Sequence, residues 1–265
     1  MCNIIKLQKP KLILHIGTEK TGTTTIQSFL RINKDKLANL NFIFPTMLGS
    51  PSHQEFTFLG YHDLQNDDIS KIAISSSPNK KVAREKIISK IENLIKKRNS
   101  SNDTWIISSE HLSSRILDKK GIEKIKNIID KYFCSVQIIV YLREPLSAAV
   151  SSRSTMIRSG SFDVEFNFDN PGGNGYAEKR ICDHKKILQL WMNTFGKEKI
   201  KVRLFDRNRL KKGDLLSDFC LSVGIGDISN DEFKIPSNKN ETLNLKSSFI
   251  LQEINKCLNQ KNFIT

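Results

Sequence analysis

The sequence predicts an α/β fold, a three-layer parallel sheet with helices on both faces, on three observations. Short apolar runs of strand length alternate with longer stretches of helical spacing, which implies right-handed βαβ units. The runs "KLILHI" and "VQIIVYL" are almost continuously apolar, as strands covered on both faces are. A glycine-rich turn follows the first run and opens a helix, which makes the sheet a P-loop type.

Each element has its own local reason. Lys11–Ile16 reads as a buried strand, and Gly17–Thr21 as the loop after it. A helix is expected from about Gly22 to Leu37, because Ile26, Phe29, Leu30 and Leu37 fall near helical spacing. "NFIF" (Asn41–Phe44) reads as a short strand ended by Pro45. Residues 46–79 are rich in Ser, Pro, His and Asp and have no clear period, so they read as a long excursion with a short helix near Gln54–Leu59. A helix over 80–98 puts Val82, Ile87, Ile88, Ile91, Leu94 and Ile95 on one face and basic residues on the other. "NDTWIISSE" is a strand ending at Ser109–Glu110. The helix over 119–132 turns Ile122, Ile125, Ile128 and Ile129 inward. After the strand "VQIIVYL", "REPLSAAVSSRSTMIRSG" is a helix opened by Pro145 and closed by Gly160. "FDNPGGNG" (Phe168–Gly175) is the stretch richest in turn residues. A helix over about 176–195 ends at Gly196, "KIKVRLF" is a strand, "LLSDFCLSVGI" a helix, and a last helix covers about 243–258.

The 265 residues fit one large domain or two small ones, and 1–265 is read as a single α/β domain. With 38% hydrophobic and 26% charged residues, the chain is ordinary globular material. No run of 18 apolar residues occurs, so no transmembrane segment is expected. The N-terminus lacks the apolar core and cleavage site of a signal peptide. Five scattered cysteines without a CxxC or Cys/His cluster point to a reduced, cytoplasmic setting without structural zinc. The net charge of +14 favours anionic partners. The lysines are spread along the chain, however, and there is no arginine-rich tail. Most of that charge reads as a solvated surface, with a specific anion site added to it, and nucleic acid is not expected as a partner.

Ligands of parallel α/β sheets bind at the carboxyl ends of the strands. That singles out Gly17–Thr24, Ser109–His111 and Arg143. In "GTEKTGTT" the spacing Gly17-x-x-x-x-Gly22 is that of a phosphate loop. A nucleotide-hydrolysing loop would carry lysine after the second glycine; here Thr23 stands there and the lysine is Lys20. Backbone N–H groups and the helix dipole still favour an anion. Thr21, Thr23 and Thr24 add hydroxyl donors, and Gly17 and Thr18 complete the cradle. Arg143, at the end of a buried strand, suits a bidentate phosphate clamp. Ser151, eight residues on, adds one further donor.

"KTGTT" after a strand, and "YLREPLSAAVSS" with Arg and Ser eight apart, resemble the two nucleotide-binding motifs of sulfotransferases that use 3′-phosphoadenosine 5′-phosphosulfate (PAPS). The order "HKKILQLWMNTFGKEKIKVRLF…LLSDFCLSVGI" is similar to bacterial carbohydrate-type members, so the likeness covers most of residues 11–226. The resemblance implies that Lys20, Thr21, Gly22, Thr23 and Thr24 bind the 5′-phosphosulfate and that Arg143 and Ser151 bind the 3′-phosphate. It implies PAPS as co-substrate, no metal, and a glycan or small-molecule acceptor. Residues 46–79 and 160–176 are the expected acceptor-site loops. The R-K-G tripeptide of cytosolic members is absent from the C-terminal part, where "SNKNETLNLK" stands instead.

Transfer needs a base for the acceptor's proton. Glu110, at the end of the strand "WIISSE", is the first candidate, and His111, next to it, the second. His53 and Glu55 lie in the long excursion, and His15, inside an apolar strand, reads as a hydrogen-bonded core residue. Two other readings stand beside the sulfotransferase. One is a variant P-loop kinase using ATP and Mg²⁺, with Glu110 as a metal ligand. The other is a non-enzymatic basic protein that binds polyanions.

Overall fold

A computed structural model describes residues 8–162, 180–229, 233–237 and 243–261. Contacts divide the chain into two compact units, one formed by 1–142 with 185–236 and the other by 143–184 with 237–265.

The first unit holds a five-stranded parallel sheet in the order β2-β3-β1-β4-β5. β1 is Lys11–His15. Two helices follow, α1 (Thr23–Ile32) and α2 (Lys34–Asn39), where the sequence suggested one helix to Leu37. The break falls at Asn33, which is buried and reaches across the chain. Its amide donates to the carbonyls of Phe29 (2.9 Å) and Lys234 (2.8 Å), and its oxygen accepts from the Lys234 N–H (2.9 Å). β2 (Phe42–Ile43) leads into residues 46–79, which contain α3 (Gln54–Phe58) and α4 (Asp68–Ile74). Leu48, Phe56, Phe58, Leu59, Tyr61 and Ile69 are buried, so this excursion is partly core. Its period is unreadable because the helices are too short to show one.

α5 (Lys80–Arg98) is capped by Asn79, whose side chain accepts from the Val82 N–H. β3 is Thr104–Ser108, and α6 (His111–Arg115) is a single turn that the sequence did not announce. α7 (Lys119–Tyr132) is capped by Asp118, and β4 (Ser135–Leu142) follows. After α8 (Pro145–Arg158) come α9 (His184–Phe195), β5 (Ile200–Leu204), α10 (Leu215–Val223) and α11 (Leu245–Lys261). The expected helix over 176–195 is described only from residue 180, with a break at Asp183.

Alternation along the strands decides the layers. Leu12, Leu14, Ile16, Trp105, Ile107, Ile138 and Val140 face one side, where the apolar faces of α5, α7 and α9 and the buried residues of 46–79 cover them. Ile13, Ile106, Ile139 and Tyr141 face the other, under α1, Leu37 and α10. The sheet is thus three-layered, as the sequence predicted. On its second face Asp218 is fully buried and accepts from the Tyr141 hydroxyl (2.7 Å), Arg203 Nε (2.9 Å), a terminal Arg203 nitrogen and the Lys211 N–H (2.9 Å). Those bonds hold its carboxyl below the usual carboxylate range against the opposing effect of burial.

The second unit is built on α8 and α11. Asn255, from α11, donates to the carbonyls of Ile157 (2.7 Å) and Ser161 (3.1 Å) and so satisfies the C-terminal end of α8. Arg153 donates to Gln252 (3.1 Å), and the Ser154 hydroxyl accepts from the Leu243 N–H (2.9 Å). No described helix is long and apolar enough to cross a membrane.

Candidate functional site

The order β3-β1-β4 brings the ends of three strands side by side. The loop after β1 is pinned on both flanks. On one, the Ser109 N–H donates to the His15 carbonyl (3.0 Å). On the other, the Thr18 N–H donates to the Tyr141 carbonyl (2.9 Å) and the Tyr141 N–H donates back to the Gly17 carbonyl (2.6 Å).

Inside the loop the chain turns left-handed three times, at Gly17 (φ 95°), Lys20 (φ 64°) and Gly22 (φ 75°). A lysine in that region costs about 1–2 kcal/mol, a strain of the kind that gathers at ligand sites. Gly22 is the N-cap of α1 and supplies no side-chain cap. The first amides of that helix therefore lack the partner that a Ser or Asp cap would provide, and the positive end of the helix dipole is left uncompensated. Left-handed and right-handed residues in succession point their N–H groups into one concavity that suits an oxyanion.

The threonines divide between two tasks. The Thr18 hydroxyl donates to the Tyr141 carbonyl (3.1 Å) and the Thr21 hydroxyl to the Thr18 carbonyl (2.6 Å), both buried. They hold the loop in shape. Thr24 is exposed, and Thr23 is buried at the start of α1.

Glu110 lies against the loop. A Cβ placed on Gly17 would sit 2.9 Å from Glu110 Cα and 3.0 Å from its Cβ, so only glycine allows the two segments to approach this closely. The Glu110 carboxylate does not cap α6; its Oε2 accepts from Gln27 Nε2 at 2.7 Å. The Glu110 carbonyl anchors α6 by accepting from the N–H groups of Ser113 and Ser114. His111 is partly buried, with Nδ1 3.9 Å from Glu19 Oε1 in the loop.

Behind Glu110 is a buried polar layer. His15 Nδ1 lies 2.8 Å from Ser108 Oγ, as the His15–Ser108 pairing in the sheet requires, and Ser108 Oγ accepts from Gln27 Nε2 (3.3 Å). His53 is fully buried. Its N–H donates to the Ser108 carbonyl, and its Nδ1 accepts from the Ser108 N–H, both at 3.0 Å. Burial pushes both histidines down to about 3; for His53 the Arg31 charge adds to the effect and the Pro45 carbonyl opposes it. His15 is therefore the core histidine the sequence suggested, and His53 braces the end of β3. Glu55 pairs with Lys90 (2.6 Å).

Arg143 and Ser151 belong to the second unit. Arg143 directly follows β4 and is half-buried; desolvation lowers its pKa while Glu144 opposes. Glu144 caps α8 by accepting from the N–H groups of Leu146 (2.8 Å) and Ser147 (2.6 Å), a role the sequence reading missed. Ser151 is partly exposed in the second turn of α8, and its carbonyl accepts from the Thr155 hydroxyl (3.2 Å). The stretch "FDNPGGNG", residues 163–176 of the second expected acceptor loop, and residues 238–242 of "SNKNETLNLK" lie outside the described residues.

Gln27 was also missed. Its signal was a polar residue on the core face of α1, between the buried Ile26 and Phe29.

No family model matches the chain. An uncharacterised protein of Archaeoglobus fulgidus is 30% identical over 80 residues, which is 30% of this chain and 22% of that protein, so the match spans about a fifth of the relative's length. Among solved structures, a sulfotransferase from Alicyclobacillus acidocaldarius aligns over 88% of this chain and 87% of its own, with a TM-score of 0.53 and 13% identity. The two share the α/β fold. A chain of the PezAT toxin–antitoxin system of Streptococcus pneumoniae aligns over 96% of this chain and 87% of its own, with a TM-score of 0.35 and 16% identity.

Proposed function

We propose that the chain is a sulfotransferase that moves the sulfonate group of PAPS to a hydroxyl or amine of a carbohydrate or small-metabolite acceptor in the cytoplasm. The supporting observation is the loop itself. A lysine in a left-handed turn, between two positive-φ glycines, sits at the carboxyl edge of a parallel sheet, and Glu110 packs against the first glycine.

In this reading the loop amides, Lys20 and Thr23–Thr24 hold the 5′-phosphosulfate, and Arg143 and Ser151 take the 3′-phosphate. Glu110, with His111 as the alternative, removes the acceptor's proton. The acceptor oxygen or nitrogen then donates its electron pair to sulfur. The bond from sulfur to the bridging oxygen breaks, and the 3′,5′-bisphosphate leaves with that pair. Charge grows on the leaving group, where a preorganised cradle of N–H donors and an ammonium lowers the barrier most. Residues 46–79 and 160–176 would shape the acceptor site, with 1–265 working as one catalytic domain.

Calorimetric titration with 3′,5′-adenosine bisphosphate and with ATP–Mg²⁺ tests the reading. Micromolar binding of the bisphosphate is expected. Micromolar ATP–Mg²⁺ binding with no response to the bisphosphate would overturn it in favour of a variant P-loop kinase. Lys20→Ala removes a charge-assisted bond of about 1.5–3 kcal/mol, or about 10- to 150-fold, and should abolish most transfer. Arg143→Ala should act chiefly on affinity for the bisphosphate. Glu110→Gln should slow turnover with bisphosphate binding unchanged; full activity in that variant would remove Glu110 as the base.

A further inference from the structure

We propose that Gln27 is a positioning residue for Glu110: its amide holds carboxylate Oε2 and leaves Oε1 to take the acceptor's proton. The inference rests on the assignment of Glu110 as base.

The two residues are 83 positions apart and meet at 2.7 Å. Gln27 is 1% exposed in the second turn of α1, the helix that the anion loop opens. A buried amide is costly unless its hydrogens are used, and here one goes to Glu110 and the other to Ser108. Ser108 Oγ accepts from Gln27, so its own hydrogen is free to go to His15 Nδ1, 2.8 Å away. His15 is neutral. Full burial between Tyr141 and Phe219 keeps it so. The carboxylate selects the amide orientation that turns the Gln27 nitrogen toward Glu110. The opposite flip would set an amide oxygen against the carboxylate.

Both the cradle and this brace are carried by α1. A ligand seated on the loop and the base that serves it are therefore referenced to one rigid element, the arrangement on which proximity effects depend. Methionine is unbranched and close to glutamine in size, so Gln27→Met removes the amide with little change of shape.

The test compares Gln27→Met, Ser108→Ala, Glu110→Gln and the Gln27→Met/Glu110→Gln double variant. PAPS turnover to the bisphosphate is followed with water as acceptor, beside calorimetric binding of the bisphosphate. Gln27→Met should lower kcat about 10- to 100-fold, part of the contribution typical of a positioned base, with bisphosphate affinity unchanged. Ser108→Ala, which leaves the Gln27–Glu110 bond in place, should lower it less. The double variant should be no slower than Glu110→Gln alone, because residues acting as a unit are not additive. A Gln27→Met enzyme with unchanged kcat, or losses that multiply in the double variant, overturns the proposal.

A ligand-free readout separates this from the sulfotransferase reading. In the unliganded protein the Gln27 side-chain amide resonance should exchange slowly and shift on Glu110→Gln. A fast-exchanging amide that ignores Glu110 overturns the positioning even if PAPS is a substrate. A chain that neither binds the bisphosphate nor turns over PAPS overturns the sulfotransferase reading, and with it Gln27's catalytic role, whatever the amide shows.

Discussion

Replacing Gly17 by alanine probes the junction between the loop and the end of β3. The added Cβ would meet Glu110 Cα at 2.9 Å, a backbone atom that cannot rotate away. A side chain at φ 95° costs about 1–2 kcal/mol by itself. Forcing the neighbouring segment outward adds about 1–3 kcal/mol, as overpacking generally does. Gly226 separates the two contributions: its φ is 103° and a Cβ there meets nothing within 4 Å, so Gly226→Ala carries the conformational cost alone. Both glycines belong to the first unit, as do Trp105 and Trp191, both buried. Urea unfolding followed by tryptophan fluorescence therefore reports on the right part of the chain. Gly17→Ala should be less stable than Gly226→Ala by about 1–3 kcal/mol, and it should lose PAPS turnover because Glu110 is displaced from the loop. If the two variants unfold at the same urea concentration with the same slope, the close approach is not what glycine serves here.

Two further outcomes follow from the buried polar groups. Asp218→Ala leaves the buried Tyr141 hydroxyl and the partly exposed Arg203 guanidinium without this acceptor, and urea unfolding should show a loss of about 1–3 kcal/mol, as for a buried donor left unsatisfied. A loss below about 1 kcal/mol would mean that the cluster is solvated. His15 and His53 have folded-state pKa values of about 3, below their ordinary 6.5. The unfolded chain therefore binds more protons below pH 6.5. Stability from these groups is complete above 6.5 and falls as pH drops toward 3, by about 2 kcal/mol per histidine at pH 5. His53→Asn keeps an acceptor near the Nδ1 position, and it should make urea midpoints between pH 7.5 and 5 clearly less pH-dependent; an unchanged pH slope would contradict the assignment.

The sequence alone determined what is local. Apolar runs of strand length, Pro145 before a helix, and two glycines five apart are all properties of short segments, so the parallel sheet and the glycine-rich loop at its edge were legible from them. It also marked Glu110, because the residue after a strand in such a fold lies at the ligand edge. The break at Asn33 was hidden, because its cause is a bond to Lys234, 201 residues away. The bracing role of His53 was hidden for a similar reason, since its two partners are backbone atoms of Ser108. Gln27 gave only a polar interruption of an apolar face. Its meaning depends on β3 lying beside β1 in the register that opposes Ser108 to His15, and that register is set by packing over the whole sheet. The chain thus encodes the loop in eight consecutive residues, whereas the brace behind the candidate base exists only once the strands have found their order.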